Sequence, residues 1–356
     1  MVSTADPENT TCGTTSIPCT LINALAAATS IKNTIRIDDD GMFTTIGFTA
    51  PVDITIDAHG STAGATIKKM GTGDFLTVTG NRKVALLGGH LIGSSNGNSG
   101  DNGINCTNSM VTIAGTTIEM MAASAIVASN CDLTIARADI HNNNLKSADT
   151  PSIDTNTGAI TLSQSKIRNN AGGGLRTTNA EKFIIVGNLF LENGTAGGTK
   201  GGAVLDADTS VSGNRFDFNT VVENQTQATA VAGVSCSAKA DFIALNNIIW
   251  NNNSAIMSAG APAGIQVGGF ACAYSDIGPT TPLPPGVDQG HNINMNPNFA
   301  NEMTDSHPMH GSPIHYQARP TADLTGIASR DIDGNPRVAG PGGVGADLGA
   351  YIVPTQ

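Results

Sequence analysis

The residues in this chain with types and spacing suited to chemistry are mostly carboxylates, with one arginine set a single repeat away from one of them. Asp154 and Arg176 occupy equivalent positions in successive repeats. That places their side chains within reach if the repeats stack. A guanidinium that neutralises a sugar carboxylate, beside a second group that moves a proton, is the minimum for β-elimination on a uronate polymer. Hydrolysis of a glycosidic bond instead needs two carboxyl groups at a fixed separation. The same two residues also read as an ion pair on a solvated sheet. Other residues expected on that outward face are Asn105, Val127, Ser235 and Gln266, with Asp206 close by. Lys146 and Asp149 belong to an inserted loop that would overhang it. Asn105, Asp206, Ser235, Gln266 and Lys146 are therefore the candidate ligand-binding groups, and Asp154 and Arg176 the candidate catalytic ones. For metal, Asp331, Asp333 and Asn335 in the run Asp-Ile-Asp-Gly-Asn resemble part of a Ca²⁺ loop without its later Glu. Asp38, Asp39 and Asp40 before Gly41 suit a cation or an ordinary turn. His307, His310 and His315 cluster without a zinc spacing, and no G-x-S-x-G, P-loop or H-E-x-x-H occurs.

The elements that would hold these groups come from one pattern repeated between Val84 and Asn252. Two apolar residues stand two apart, a third follows five later, and an Asn usually comes three after that. Leu133, Ile135, Ile140, Asn143 is one copy, and Ile160, Leu162, Ile167, Asn170 is another. Phe183, Ile185, Phe190, Asn193 and Phe242, Ala244, Ile249, Asn252 repeat it, and Thr209, Val211, Phe216, Asn219 is a looser copy. The two-residue step puts both side chains on one face of a strand, and the five-residue step crosses a bend. No window keeps helical spacing over three turns. A single coil has too little core to stand alone, whereas stacked coils share one. An Asn at each bend tolerates a left-handed backbone and can bond its amide to the Asn above and below. The expectation is an all-β, right-handed parallel β-helix, a solenoid of the pectate-lyase-like kind. Residues 1–50 would form a cap and lead-in strands, with a short helix near Thr20–Thr29. Residues 51–280 would be the coils, and 281–356 an irregular C-terminal cap folded back along them.

Composition agrees. Aromatic residues are 4 % and charged residues 13 %, while Gly reaches 42, which suits a thin aliphatic core with many bends. The net charge of −11 argues against nucleic acid or an anionic membrane as partner. No segment is apolar for long enough to span a bilayer. The start MVSTADPENTTCG reads as a mature N-terminus with an added Met. Six Cys at coil-like spacings favour disulfides in a secreted protein, with Cys12–Cys19, Cys106–Cys131 and Cys236–Cys272 as the pairs to consider. Buried free thiols are the alternative.

The segment CTLINALAAA, followed by NTIRI and ITIDAHG, resembles the start of secreted bacterial β-helix proteins of the polymorphic outer-membrane-protein group. There a Cys-Thr-Leu-Arg-Glu-Ala-like run precedes the coils, and this chain has Ile22-Asn23 at the Arg-Glu positions. INMNPNFAN, HGSPIHYQA and RDIDGNPRVAGPGGVGADLGAY resemble the tails of β-helix proteins that carry alternative C-terminal anchors, in which an anchoring segment follows the Gly-Ala-Tyr. The resemblance implies a protein at or beyond a bacterial cell surface and says little about activity. Two functions follow as expectations. One is a non-catalytic adhesin-like module that binds a polysaccharide or cell-surface glycan. The other is a polysaccharide-active enzyme, a uronate lyase, with Ca²⁺ as the cofactor to consider.

Overall fold

The computed structural model describes residues 21–31, 33–37, 40–60, 64–94, 97–147, 149–206, 212–227, 229–236, 243–252, 265–268, 271–273, 275–279 and 290–354. Among them the chain winds into a solenoid of three parallel sheets with nine, ten and ten strands. Each coil visits the sheets in one order. Sheet I includes Ile104–Thr107 and Ile153–Asn156, sheet II Met110–Ala114 and Ala159–Ser163, and sheet III Thr117–Glu119 and Lys166–Arg168. The apolar pattern stacks in register. Val111, Leu133, Ile160 and Phe183 form one inward column of sheet II, and Ile118, Ile140, Ile167 and Phe190 one of sheet III. Most of these side chains are almost wholly buried in one continuous core, which the helix Leu21–Ala27 joins through Leu21 and Leu25.

The bends are columns as well. Asn108, Asn130 and Asn179 turn the chain from sheet I to sheet II with positive φ. Arg137, Gln164, Phe218 and Asn246 turn it into sheet III, and Asn142, Asn169, Glu192, Glu223 and Asn251 turn it out. A left-handed non-glycine residue costs roughly 1–2 kcal/mol, and Asn meets this cost best. The stacked coils hold the remainder in place.

The Asn column expected from the sequence is present, with two corrections. First, the left-handed residue is the one before each ladder Asn, so the ladder Asn is there for its amide. Asn143, Asn170, Asn193 and Asn224 each pass an Nδ2–H to the Oδ1 of the next ladder Asn, ending at Asn252, at 2.9–3.0 Å. Second, the looser copy was read five residues too early. Phe216 pairs with Ile185 in sheet II, and Val221 pairs with Phe190 in sheet III. Asn219 therefore belongs to a second buried ladder, Asn188–Asn219–Asn247, at the bend between sheets II and III. Thr220–Val222 is a strand.

Among the described residues neither ladder extends upstream of Asn143, and a covalent tie joins successive coils there. Cys106 and Cys131 are disulfide-bonded, with Cα atoms 6.2 Å apart. Cys12 and Cys19, and the side chains of Cys236 and Cys272, lie outside the described residues.

The C-terminal segment does fold back along the solenoid, and it lies on the outward face of sheet III. There the alternation of buried and exposed residues stops. Leu189–Leu191, Thr220–Val222 and Ile248–Trp250 are buried at every position. Leu189, Leu191, Val222, Ile248 and Trp250 form a second apolar cluster with Phe299, Ile314, Leu348, Tyr351 and Val353 of the tail. Five large side chains at ~1.5–3 kcal/mol each make this seam stronger than any of its hydrogen bonds, even with that figure taken as an upper bound. Gly349 has φ +79, and a Cβ there would stand 2.5 Å from Ile248. Only glycine lets the tail backbone lie this close, with Gly349 N–H donating to Asn246 O at 2.9 Å and Ala350 N–H to Thr220 Oγ1 at 2.9 Å. Arg337 locks the tail internally. It is buried over the Phe218 ring at 4.7 Å, donates to Gly349 O at 2.7 Å, and burial pulls its pKa down to about 10 despite Asp331 and Asp347 nearby.

Candidate functional site

Upstream of the tail, sheet III keeps its alternation, and its outward residues carry charge. The register places Thr117, Asp139 and Lys166 in one column and Glu119, His141 and Arg168 in the next. At the following coil both columns turn apolar, at Leu189 and Leu191. Arg168 holds Asp139 by two hydrogen bonds, Nε–H to Oδ1 at 3.0 Å and Nη2–H to Oδ2 at 2.8 Å. Its own pKa is raised, chiefly by that bond. Glu119 stands between two imidazoles, 2.9 Å from His90 Nε2 and 3.4 Å from His141 Nδ1. Burial pulls the His141 pKa below its usual value, and Arg168 adds to this, outweighing Asp139 and Glu119.

The tail makes a step where it lands on this charged ladder, and the step is a cleft of roughly 430 Å³. Lys166, Arg168 and Glu192 line it from the solenoid, and Asp305, His307 and Tyr351 from the tail. His307 belongs to the antiparallel hairpin of Phe299–Asn301 and Asp305–Pro308. Its Nδ1 faces the Asp305 carboxylate, and its Nε2 faces Asp333 at 2.6 Å. Burial lowers the His307 pKa, but the bonds to Asp333 and Asp305 raise it further, so the ring titrates above its usual range. The Tyr351 ring centroid is 4.0 Å from that of His307. Burial first, then the charges of Asp333 and Asp305, push its phenol well up, leaving it a neutral donor. Lys166 has no side-chain hydrogen bond or ion pair among the described residues.

The structure brings Asp154 and Arg176 together on sheet I. Arg176 Nε–H donates to Asp154 Oδ1 at 2.7 Å and Nη2–H to Oδ2 at 2.5 Å. The fork is closed, and each group uses the other's charge. Their column runs Asn105, Val127, Asp154, Arg176, Val204, Ser235, so an apolar side chain stands on either side of the pair. Asn105 gives its amide to Asp74 Oδ2 at 2.8 Å. Asp206 is two residues beyond Val204, where its N–H donates to Thr177 Oγ1 at 2.9 Å and its O accepts from that hydroxyl at 3.0 Å. Gln266 does not continue the column, because Ser235 is registered with Gly268. The irregular pairing between Val231 and Val234 shifts that strand, which the sequence does not signal. Lys146 does not overhang sheet I as a free cation. Its loop is bonded to the preceding coil, and its Nζ donates to Gly97 O at 2.6 Å.

The Ca²⁺ reading of the tail meets a physical obstacle. Asp331 is 1 % exposed, and its carboxylate accepts from the amides of Asp333, Asn335 and Ile352 and from the Asn335 side chain. A carboxylate so occupied shapes a turn and has little left for a cation. Asp333 is engaged by His307. Among the described residues no group of three or more His, Cys, Asp or Glu is arranged to hold a metal. Asp38 and Asp39 lie outside the described residues, and Asp40 Oδ1 accepts from Gly64 N–H at 3.2 Å.

The sequence reading singled out neither Lys166 nor Tyr351. The usable signal is the alternation itself, Thr-Ile-Glu, Asp-Ile-His and Lys-Ile-Arg giving way to Leu-Phe-Leu, Thr-Val-Val and Ile-Ile-Trp. That change marks where a covered face begins.

Residues 102–271 match the family model of a right handed beta helix region. That span contains the ladders, the disulfide and the upstream charged face, so the solenoid is a right-handed β-helix. No curated protein matches the chain. No helix among the described residues is long and apolar enough to cross a membrane.

Proposed function

We propose that this β-helix is a non-catalytic extracellular glycan-binding protein, adhesin-like in use, which takes a polysaccharide chain on the upstream face of sheet III and seats one end in the cleft. One observation carries the reading. Paired hydrogen-bonding side chains recur there once per strand, at the ~4.8 Å strand spacing, and run into a walled cleft. That step is close to the length of one pyranose unit. A ladder of Thr117, Glu119, Asp139, His141, Lys166 and Arg168 therefore offers donors and acceptors in phase with successive sugars. The wall adds a ring surface from His307 and the free ammonium of Lys166 faces the same cleft. The disulfide Cys106–Cys131 suits an oxidising compartment.

A lyase centred on Asp154 and Arg176 is less well supported, since a closed fork offers neither a free cation for a uronate nor a free base. The test is calorimetric titration with a panel of neutral and acidic oligosaccharides, run on the wild type, Arg168→Ala and Arg176→Ala. Glycan binding at the cleft gives heat with the wild type, a loss of tenfold or more with Arg168→Ala and none with Arg176→Ala. No heat across the panel defeats the reading, and loss through Arg176→Ala alone moves the site to sheet I.

A further inference from the structure

The hairpin that walls the cleft is fastened to the solenoid by Phe299 in the apolar seam and by a pair of acids. Glu223 occupies a left-handed corner position at φ 57 and is 5 % exposed. Glu302, between the hairpin strands, is half-buried against it. One amide serves both: Asn251 Nδ2 donates to Glu223 Oε1 at 2.5 Å and to Glu302 Oε2 at 2.8 Å. Held against one amide, the two carboxyls repel each other when both are ionised, so the pair favours keeping one proton. The charged groups facing Glu223 are Glu302 from the hairpin and Glu192 from its own corner column, and Glu192 is itself bonded to Asn169 at 2.6 Å. The Asn251 amide favours the ionised form, and burial together with Glu302 outweighs it. Directly after Glu302 come Met303, Thr304, Asp305, Ser306 and His307, which all line the cleft.

We propose that Glu223 and Glu302 form a proton-operated latch: while the pair holds its proton the hairpin stays docked and the cleft keeps its wall, and loss of that proton frees the hairpin from the solenoid. Desolvation first, then Glu302, pushes the Glu223 pKa up to about 8. A carboxyl freed from the seam has its ordinary value, so docking takes up a proton between the two values. Docking is strongest in acid and weakens by up to tenfold per pH unit as pH rises toward about 8. The latch stands independently of what the cleft binds.

The chain carries its own reporter. Trp250 is its single tryptophan, adjoins Asn251, and is 7 % exposed in the apolar cluster shared with the tail. The experiment follows Trp250 emission and far-ultraviolet circular dichroism of the full chain from pH 5 to 9.5, in the wild type, Glu302→Gln, Glu223→Gln and Asp276→Asn. The last variant controls for a second buried acid at the seam, whose pKa burial also pushes up to about 8. The latch gives a red shift in the wild type with unchanged dichroism. Either Gln variant, which bonds without a shared proton, moves that transition up by more than one pH unit or abolishes it, and Asp276→Asn keeps it. No red shift in the wild type overturns the proposal. So does a transition unchanged in both Gln variants, one that only Asp276→Asn removes, or one accompanied by loss of the sheet signal.

Discussion

The two ends of sheet III have the same backbone and different outward faces. Upstream, between Thr117 and Arg168, every second residue is polar and reaches solvent. Downstream, between Leu189 and Trp250, the same positions are apolar except Thr220, and all lie buried under the tail. The means of holding coils together change along the same axis. The Cys106–Cys131 disulfide ties two upstream coils, and two ladders of buried Asn, starting at Asn143 and Asn188, tie the coils that follow. A solenoid strand reveals only half of its surroundings through its inward residues, which are mostly apolar along the whole solenoid. The outward residues state whether that coil meets water or another part of the chain.

The contrast is broken most severely by one charge. Ile248 and Thr117 are outward residues at equivalent positions of sheet III. Ile248→Asp is expected to cost roughly 4 kcal/mol or more and to expose Trp250, while Thr117→Asp stays within about 0.5 kcal/mol. Urea titration of the two variants measures this. A second contrast concerns protons. Asp276 lies on the downstream face with its Oδ1 accepting from Met295 N–H and its Oδ2 buried without a partner. The folded chain keeps a proton that the unfolded chain releases, so stability falls as pH rises from about 4 to about 8. Asp276→Asn removes that share of the slope in urea titrations repeated across the range, by an amount on the order of several kcal/mol at the alkaline end.

The ladder and the disulfide come next. Asn193→Ala removes the side-chain donor to Ile167 O and one of the two acceptors of the Asn170 side-chain amide, which keeps Ile140 O, and is expected to cost about 3 kcal/mol. Removing both Cys106 and Cys131 as alanines costs about the same, and it loosens the upstream coils, as hydrogen exchange of sheet II would show. Smallest is Arg176→Ala, expected to change stability by about 1 kcal/mol or less.

Much of this was legible in the sequence because the core of a solenoid is a local pattern. Leu133, Ile135, Ile140 and Asn143 already state a coil. The misread copy shows the limit. Around Phe216, two apolar residues and two Asn recur five apart, and Asn214 replaces the apolar residue found at Phe183. Its Oδ1 accepts from Phe183 N–H at 3.0 Å, a substitution that only the stacked neighbour explains. Asp154 and Arg176 were found together because in-register stacking turns repeat spacing into distance. The cleft was not, since Lys166 and His307 meet only after the tail has folded back across the solenoid, and no spacing encodes that.

The central claim is most directly tested by a crystal structure of the protein with an oligosaccharide that it binds. The account predicts sugar rings along Thr117, Asp139 and Lys166, with the terminal unit against His307 inside the cleft. Sugar lying on sheet I beside Asp154 and Arg176, with the sheet III face bare, would contradict it.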